Sequence, residues 1–255
     1  MREPAHRLPP RTITVGSYAN AESTLNQIDV SSPKNTYVGP LPLRDSSELV
    51  SEVRALLPSG GDVLDLGCGP RDQGMVFEHL GYRYVGVDYA NPAAELLVDA
   101  HALPFADESF DCVFSYAVLE HLHTPQVAIQ EIARVLKVGG VFVGTVSQGE
   151  PFHSSFFHFT PWGLLSLLRF APQLEAVRLW PGPDTLTSLA QMGRYSRLVR
   201  KLIVVVDQLS RRAPWLTPRK LWWPVRERRL DQIYRAGSIC FSIRKTVGCS
   251  SICAK

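Results

Sequence analysis

Hydrophobic and polar positions follow two periods along this chain. Short apolar runs bounded by turn residues predict buried strands at Val63–Leu66, Tyr84–Val87, Phe110–Phe114 and Val141–Val146. A helical period covers Pro125–Leu136, and we expect the Gly139-Gly140 pair to end that helix. Strands that alternate with helices predict a parallel sheet with helices on both faces, which is an α/β fold.

The segments that flank this pattern differ in character. Residues 1–44 are rich in Pro, Ser, Asn and Thr without a sustained period, so we predict an extended N-terminal arm. Residues 45–255 are predicted to form one domain, which starts with a helix over Glu48–Leu57 behind Ser46 as its cap. The remaining predicted elements are a helix over 161–170 capped by Thr160, strands over 174–179 and 238–243, and an insertion over about 184–236.

Composition fits a soluble globular domain. The 255 residues are 45% hydrophobic and 20% charged with a net charge of +3, which excludes a disordered chain. No apolar run reaches the ~18 residues of a membrane span, and the N-terminus lacks the apolar stretch of a secretion signal. Five cysteines, an odd number with two in strand-like apolar runs, predict reduced thiols, so we expect a cytoplasmic protein.

Glycines and carboxylates follow successive predicted strands. Gly67 and Gly69 come directly after the first strand, where a ligand can approach backbone that carries no side chain. Asp88 ends the second strand, 23 residues after Asp65, where a carboxylate can accept hydrogen bonds from ribose hydroxyls. The dinucleotide fingerprint would need a glycine in place of Asp72, and no Gly-Lys-Ser/Thr of a P-loop follows. The pattern therefore disfavours NAD and excludes a P-loop.

Six motifs in series carry a resemblance to a known family. They are Val63–Pro70, Val85–Asp88, Asp99–Phe105, Asp107–Ser115, Val118–Leu122 and Glu131–Gly140. In order and spacing they resemble the class I S-adenosylmethionine-dependent methyltransferases, of the type 11 methyltransferase-domain group. The resemblance covers about residues 45–147. It implies a Rossmann-like, mostly parallel seven-stranded sheet with the helical insertion before the last strand, and S-adenosyl-L-methionine as the cofactor.

The resemblance also implies which residues meet the methionine end of the cofactor. Asp65 would orient that end, and Gly67, Cys68 and Gly69 would pass backbone beneath it. Ser115, which we expect to end the fourth strand, would offer its carbonyl oxygen to the methionine ammonium.

The adenosine end of the cofactor has its own implied set. Asp88 would accept hydrogen bonds from the ribose hydroxyls, and Tyr89 would pack on the adenine. Asp99 would accept from the adenine amino group, and the Ala100 amide would address a ring nitrogen.

Three histidines are candidates for the catalysis of methyl transfer. A sulfonium methyl group needs alignment with its acceptor and, for a hydroxyl acceptor, removal of a proton. His121 follows the fourth strand beside Glu120, and the alternative for this pair is to hold local backbone. His153 and His158 follow the fifth strand, with loop hydrogen bonding as the alternative. No metal site is predicted, because a further acidic ligand is not evident.

The predicted insertion is strongly basic. Between Arg194 and Arg229 eleven Lys or Arg stand against two acidic residues, and apolar positions from Tyr195 to Leu209 recur at helical spacing. Such a helix fits a cap over the substrate cleft or a homodimer contact, anionic lipid on the inner membrane face, or nucleic acid. The tryptophans that follow are typical of an interfacial segment and can also stack on bases: Trp215, Trp222 and Trp223.

One function and two alternatives follow. We expect a methyltransferase that acts on an oxygen of a small-molecule, glycan or lipid-linked acceptor. Residues 157–165 and 179–183 resemble bacterial methyltransferases of polysaccharide or lipid-linked glycan assembly. DNA adenine methylation is disfavoured, because Ser115-Tyr-Ala-Val118 replaces the Asn-Pro-Pro-Tyr or Asp-Pro-Pro-Tyr motif. The alternatives are an RNA methyltransferase, although nucleic acid is the less expected partner, and a methyltransferase-like binding or scaffold module without turnover.

Overall fold

The computed structural model describes residues 28–34, 46–150, 154–182, 196–212, 233 and 236–247. Within these ranges one sheet contains β1 Asp62–Leu66, β2 Arg83–Asp88, β3 Leu96–Leu97, β4 Phe110–Tyr116, β5 Leu136–Ser147, β6 Leu174–Pro181 and β7 Ser238–Lys245. The α-helices there are α1 Ser47–Leu56, α2 Gly74–His79, α3 Pro125–Val135, α4 Pro161–Leu167 and α5 Arg197–Arg212. Short 3₁₀ turns cover Leu119–His121 and Leu168–Phe170. Each strand and helix that the sequence predicts is present, and β3 and α2 are additional.

The strands lie in the order β3-β2-β1-β4-β5-β7-β6. Neighbours are parallel from β3 to β5, whereas β7 pairs antiparallel with both β5 and β6. This mostly parallel seven-stranded sheet confirms the predicted fold class. The strand order reverses between β1 and β4, and ligands of such sheets bind at the carboxyl ends of the strands beside the reversal.

Each face of the sheet carries its own hydrophobic layer. On one face Leu64 of β1 belongs to the same buried cluster as Ile129 of α3. On the other face Val63 belongs to a cluster with Val53 of α1 and Phe77 of α2. All five side chains are fully buried. Because β1 is buried on both faces, its residues from Val63 to Leu66 are apolar on both sides of the strand, with Asp65 as the exception.

The end of α3 differs from the prediction. The helix ends at Val135, and Gly139 and Gly140 lie inside β5 instead of closing the helix. A Cβ on Gly140 would sit 2.8 Å from the Lys137 carbonyl oxygen and 3.0 Å from the Asp111 carbonyl oxygen. The expectation that this pair ends the helix is therefore wrong: Gly140 is required by the close approach of β5 to β4.

The two predicted helix caps behave differently. Thr160 caps α4, because its Oγ1 accepts a hydrogen bond from the Gly163 N–H at 3.1 Å. Ser46 also stands at the N-cap position of α1, but its hydroxyl donates to Gln73 Oε1 at 3.1 Å and makes no cap hydrogen bond. The same position can therefore be used for capping or for a contact between helices.

A short part of the predicted N-terminal arm packs against β6, the outermost strand. The Leu179 N–H donates to the Asp29 carbonyl oxygen at 2.8 Å. Ile28 and Val30, on either side, are buried in the core. Arg178 adds an ion pair of 3.2 Å with the Asp29 carboxylate. These contacts cover part of the edge of the sheet, where backbone groups would otherwise lack a neighbouring strand.

Three further features concern membrane spans, metal sites and cysteines in the described residues. Among them, no helix combines the length and the apolar composition that a membrane span requires. No group of three or more His, Cys, Asp or Glu side chains in these ranges is placed to hold a metal ion. The cysteines described, Cys68, Cys112 and Cys240, are buried free thiols.

Candidate cofactor-binding site

A cavity of about 620 Å³ opens at the carboxyl ends of β1, β2 and β4, beside the reversal of the strand order. The residues that line it are Leu66, Gly67, Val87, Asp88, Tyr89, Val98, Asp99, Ala100, His101, Tyr116, Ala117, Val118, His121, Leu122, His123 and Phe156. This volume is typical of small-molecule and cofactor sites. Five of the nine predicted cofactor residues line the cavity, and the other four, Asp65, Cys68, Gly69 and Ser115, do not.

The turn after β1 packs tightly at its first glycine. Gly67 has a φ of 73°, and a Cβ on it would lie 2.3 Å from Val118 Cγ2. The N–H groups of Gly67 and Cys68 both donate to the Val87 carbonyl oxygen, at 2.8 and 3.0 Å, which fixes the turn on β2. Gly69 has a φ of 53° and open space where a Cβ would lie. Packing and conformation thus require glycine at the first position, and conformation alone favours it at the second.

Asp88 connects this turn to the next loop. Its Oδ2 accepts from the Gly69 N–H at 3.0 Å, and its Oδ1 accepts from the Ala90 and Asn91 N–H groups, each at 2.9 Å. Burial by itself would raise the pKa of Asp88, but the backbone donors outweigh burial and hold that pKa below its ordinary value. The ionised carboxylate keeps acceptor capacity for a ligand hydroxyl. Tyr89, next to it, is 81% exposed and lines the cavity.

Asp99 is fixed by His101. Its Oδ1 accepts from the His101 N–H at 2.9 Å and contacts His101 Nδ1, and these two hydrogen bonds, the backbone one first, lower the pKa of Asp99. Ala100, between them, is buried and lines the cavity. The His101 ring stacks on His123 with 4.6 Å between the ring centroids, and His123 meets Phe156 edge to face. We call His101, His123 and Phe156 the three-ring stack.

Arg134 of α3 clamps the loop that follows Asp99. Its guanidinium donates to the carbonyl oxygens of Leu103 and Phe105, at 2.9 and 2.7 Å. Glu131, one turn earlier on the helix, accepts from the Leu103 N–H at 2.8 Å and pairs with Arg134. Two motifs that lie 30 residues apart in the sequence are therefore joined in space, and the helix holds the loop that carries the cavity residues.

Asp65 lies beneath the cavity. It is 1% exposed, and its Oδ2 accepts from the Tyr84 hydroxyl at 2.7 Å. Burial raises the pKa of Asp65 to about 7, and the hydrogen bond from Tyr84 opposes that rise. Its role at the methionine end of the cofactor stays a prediction, because the side-chain contact that the structure describes is to Tyr84.

Strand β4 runs two residues beyond the predicted apolar run Phe110–Phe114, and one residue beyond the expected strand end at Ser115. Tyr116 pairs with Thr145, directly after the pairing of Ser115 with Gly144. The chain turns at Ala117, which has a φ of 57°. Ser115 is fully buried and does not line the cavity, whereas Tyr116 and Ala117 do. The predicted strand end at Ser115 is wrong, because β5 is long enough to pair with Tyr116 as well.

The three predicted catalytic histidines take different places. His121 ends the 3₁₀ turn after β4 and lines the cavity as an exposed side chain. His158 lies after β5 with its Nδ1 3.3 Å from Ser147 Oγ, and it does not line the cavity. His153 lies outside the described residues. Of this set, the structure brings His121 to the cavity.

Glu120, the neighbour of His121, anchors the loop after β5. It is fully buried, and its Oε1 accepts from the Ser147 N–H at 2.9 Å. Its backbone carbonyl oxygen accepts from the N–H groups of Phe156 and Phe157, at 2.9 and 3.1 Å. Burial raises the pKa of Glu120 to about 7. Glu120 therefore holds local backbone, which was one alternative for the Glu-His pair, while His121 faces the cavity.

Sequence reasoning did not select the three-ring stack. His101, His123 and Phe156 come from three different loops, and no local period connects them. The one available signal was the position of His101, two residues after Asp99 in a motif of the resemblance. Tertiary structure was needed to show that these rings meet.

Comparison with known proteins adds independent findings. Residues 64–144 match a family model described as a methyltransferase domain. A tRNA (carboxymethyluridine(34)-5-O)-methyltransferase from Arabidopsis thaliana is 34% identical over 145 residues, which cover 51% of this chain and 32% of that protein. A demethylmenaquinone methyltransferase from Renibacterium salmoninarum is 29% identical over 161 residues, with coverage of 52% and 66%. The chain spans about a third of the length of several of the curated relatives it matches.

Solved structures show the same fold. The 1,6-didemethyltoxoflavin-N1-methyltransferase from Burkholderia thailandensis, with bound 1,6-didemethyltoxoflavin and S-adenosylhomocysteine, matches with a TM-score of 0.53 at 16% identity. The match covers 97% of this chain and 99% of that chain.

The residues of the cavity fit S-adenosylmethionine. Asp88 is an ionised acceptor for hydroxyl groups, as a ribose requires. The turn at Gly67 brings backbone to the cavity without a side chain, and Leu66, Val87 and Val98 supply apolar surface for a base. The sheet order, the matched domain and this fit agree: the chain contains a methyltransferase domain with the class I fold, and S-adenosylmethionine is the cofactor of that domain.

Proposed function

We propose that this protein transfers the methyl group of S-adenosylmethionine to an oxygen atom of a small-molecule, glycan or lipid-linked acceptor. The observation that carries the proposal is that one cavity combines two kinds of wall. The cofactor wall consists of Gly67, Asp88 and Asp99. The ring wall consists of the three-ring stack together with Tyr116 and His121. A cofactor and a small acceptor group need such a shared site.

The residues of the chain have mainly to align the reactants. When bound, the cofactor supplies a methyl group on a sulfonium, which is already activated for displacement. Asp88 and Asp99 would hold the adenosine part by accepting hydrogen bonds, because their lowered pKa values keep both carboxyl groups ionised. The ring wall offers aromatic surface to the acceptor.

His121 is the residue that we assign to proton removal. An oxygen acceptor must lose its proton during transfer, and imidazole is the most frequent general base in enzymes. His121 lines the cavity, whereas the carboxylate of Glu120 binds the Ser147 N–H. His158 also lies close to Ser147, away from the cavity lining. A hydroxyl bound on the ring wall would therefore meet His121.

Titration calorimetry with S-adenosylmethionine and S-adenosylhomocysteine tests the cofactor part of the proposal. We expect micromolar binding of both compounds. If neither binds, the proposed transfer is wrong. If both bind but no S-adenosylhomocysteine is released with any acceptor class, the module without turnover becomes the better description.

The variant His121→Asn tests the base. We expect kcat for a hydroxylated acceptor to fall by roughly 100-fold or more, because general base catalysis contributes on that order. The dissociation constant of S-adenosylhomocysteine should not change. His158→Asn and His79→Asn, the latter an exposed residue of α2, are matched controls and should retain kcat within a few fold. Equal rates in all three variants would contradict the role of His121.

Methylation of RNA is a second candidate. It is favoured by the relative named for tRNA and by the net charge of +9 between residues 194 and 229. Contacts to about 6–10 phosphates would weaken binding by roughly 1000-fold or more between 50 and 200 mM salt. Fluorescence anisotropy with unmodified tRNA measures this dependence. A steep salt dependence supports this candidate, and no binding at low salt removes it.

A further inference from the structure

Helix α5 exposes an apolar stripe. Leu198, Leu202 and Val206 are 78%, 61% and 50% exposed, and Val199 and Val205 on the same side are also exposed. At 100° per residue these five positions fall within an arc of about 120°. We call these five residues the α5 stripe. Five exposed aliphatic side chains on one side of one helix form a continuous apolar surface.

The side of α5 opposite the stripe is basic. Arg197, Arg200 and Lys201 are exposed there, in an arc of about 100° that does not overlap the stripe. Residues 197–212 contain five Lys or Arg and one Asp, a net charge of +4. The helix is thus divided into an aliphatic face and a cationic face.

Such a helix needs a partner for its apolar face. Most of the stability of helices in proteins comes from packing of that face, and the 16 residues of α5 barely exceed the ~12–15 below which isolated helices are marginal in water. The three consecutive valines at 204–206 lower its intrinsic propensity further. The partner must be apolar along the stripe and negatively charged beside it.

We propose that α5 binds the surface of an anionic lipid bilayer, with the stripe at the acyl boundary and the basic face toward the headgroups. A bilayer offers both complementary surfaces along the whole helix, which is about 24 Å long. A second copy of the chain would bring another +4 beside the first and repel it. RNA would neutralise the cations, but aliphatic side chains gain nothing from base stacking. The inference does not depend on methyl transfer.

Co-sedimentation of the full chain with vesicles tests the proposal. Two compositions are compared in 0.1 M salt: phosphatidylcholine alone, and phosphatidylcholine with 30% phosphatidylglycerol. We expect sedimentation with the second and not with the first, and a decrease in 0.5 M salt because the surface attraction is screened. Failure to sediment with either vesicle overturns the proposal, whatever the variants do.

Paired variants assign the binding to α5. Leu202→Asp with Val206→Asp should abolish sedimentation, whereas Ser196→Asp should retain it. That control adds a negative charge at the start of the helix, where Ser196 Oγ already accepts from the Val199 N–H at 3.4 Å. Replacing Arg197, Arg200 and Lys201 by Gln should weaken partition roughly 100-fold, at about fivefold per charge. Arg200→Lys keeps the charge and should keep binding.

Each other occupant has its own signature. If the protein does not bind vesicles but dimerises in sedimentation velocity, and Leu202→Asp abolishes the dimer, the partner of the stripe is a second copy of the chain and the proposal is overturned. If the protein does not bind vesicles but binds a single-stranded RNA, and Leu202→Asp retains that binding, the proposal is overturned in favour of RNA. Binding of S-adenosylhomocysteine by each variant shows that the domain is folded and separates this test from the proposed function.

Discussion

The two walls of the cavity are held by different kinds of contact. In the cofactor wall, backbone groups do the positioning: three N–H groups converge on Asp88, and the Arg134 guanidinium holds two carbonyl oxygens of the loop after Asp99. In the ring wall, side chains form the surface themselves, and Tyr116 and Phe156 are 38% and 67% exposed. The backbone of the ring wall is anchored by the buried residue Glu120, which accepts hydrogen bonds from the N–H groups of Ser147 and Phe156.

This difference separates the residues whose positions depend on the sheet from those whose side chains are presented by loops. The cofactor wall is built at the ends of neighbouring parallel strands, so its hydrogen bonds are satisfied by the same elements that form the sheet. Apart from His101, whose ring also contacts Asp99, the residues of the ring wall can be replaced without breaking the hydrogen bonds that anchor it. We infer that changes in the first wall affect folding and cofactor affinity together, and that changes in the second affect the acceptor.

Asp88→Asn should have the largest effect. The amide group keeps the shape but replaces one acceptor oxygen by an NH₂ group, which faces N–H donors and can no longer take a ligand hydroxyl. We expect the affinity for S-adenosylhomocysteine to fall roughly 100-fold, or about 3 kcal/mol. Titration calorimetry measures it. Asp72→Asn, the same change at an exposed residue nearby, should leave affinity unchanged, and equal affinities for all three proteins would refute the role of Asp88.

The pair Gly67→Ala and Gly69→Ala separates packing from conformation. Both residues have positive φ, which costs an alanine about 1–2 kcal/mol. Only Gly67 also meets Val118, so its variant should lose about 3 kcal/mol of unfolding free energy in denaturant titrations, against about 1 kcal/mol for Gly69→Ala. Adding Val118→Ala should recover part of the loss in the first variant alone. Equal losses for the two glycines would show that the contact with Val118 does not matter.

The same contrast explains how far sequence reasoning could go. Gly67 and Asp88 of the cofactor wall follow from strand ends, glycine positions and one spacing, all of which are local, whereas Asp99 follows from the resemblance to a known family. The ring wall depends on how far β4 pairs with β5, which moved the strand end from Ser115 to Tyr116, and on the meeting of three loops. Gly139 and Gly140 show the same limit, because their effect depends on the neighbouring strand and not on the helix before them. Local pattern specifies the elements, and pairing between elements specifies the rest.

One buried carboxyl group lies beneath each wall, and the pH dependence of stability compares the two walls through these groups. Burial raises the pKa of Asp65 under the cofactor wall and of Glu120 under the ring wall, each to about 7. Unfolded, both groups release their protons near their ordinary values of 3.8 and 4.5. Between these values and about pH 7 the folded state therefore binds more protons than the unfolded state. The free energy of unfolding consequently falls as the pH rises from about 5 to 7, and these two groups do not change it further above that range.

Asp65→Asn and Glu120→Gln should each remove one such fall, of about 2 kcal/mol between pH 5 and pH 7. The readout is the slope of unfolding free energy against pH in urea titrations, because a constant cost of the new amide does not change a slope. The acids that interact with these groups are retained, namely Glu95 and Asp88 near Asp65 and Glu150 near Glu120. Glu120→Gln keeps an acceptor for the Ser147 N–H, so its affinity for S-adenosylhomocysteine should not change, whereas Asp65→Asn should alter it. If the slopes of both variants equal that of the unmodified protein, both carboxyl groups are already ionised at pH 5 in the folded state. If both variants change the cofactor affinity equally, the distinction between the two walls is wrong.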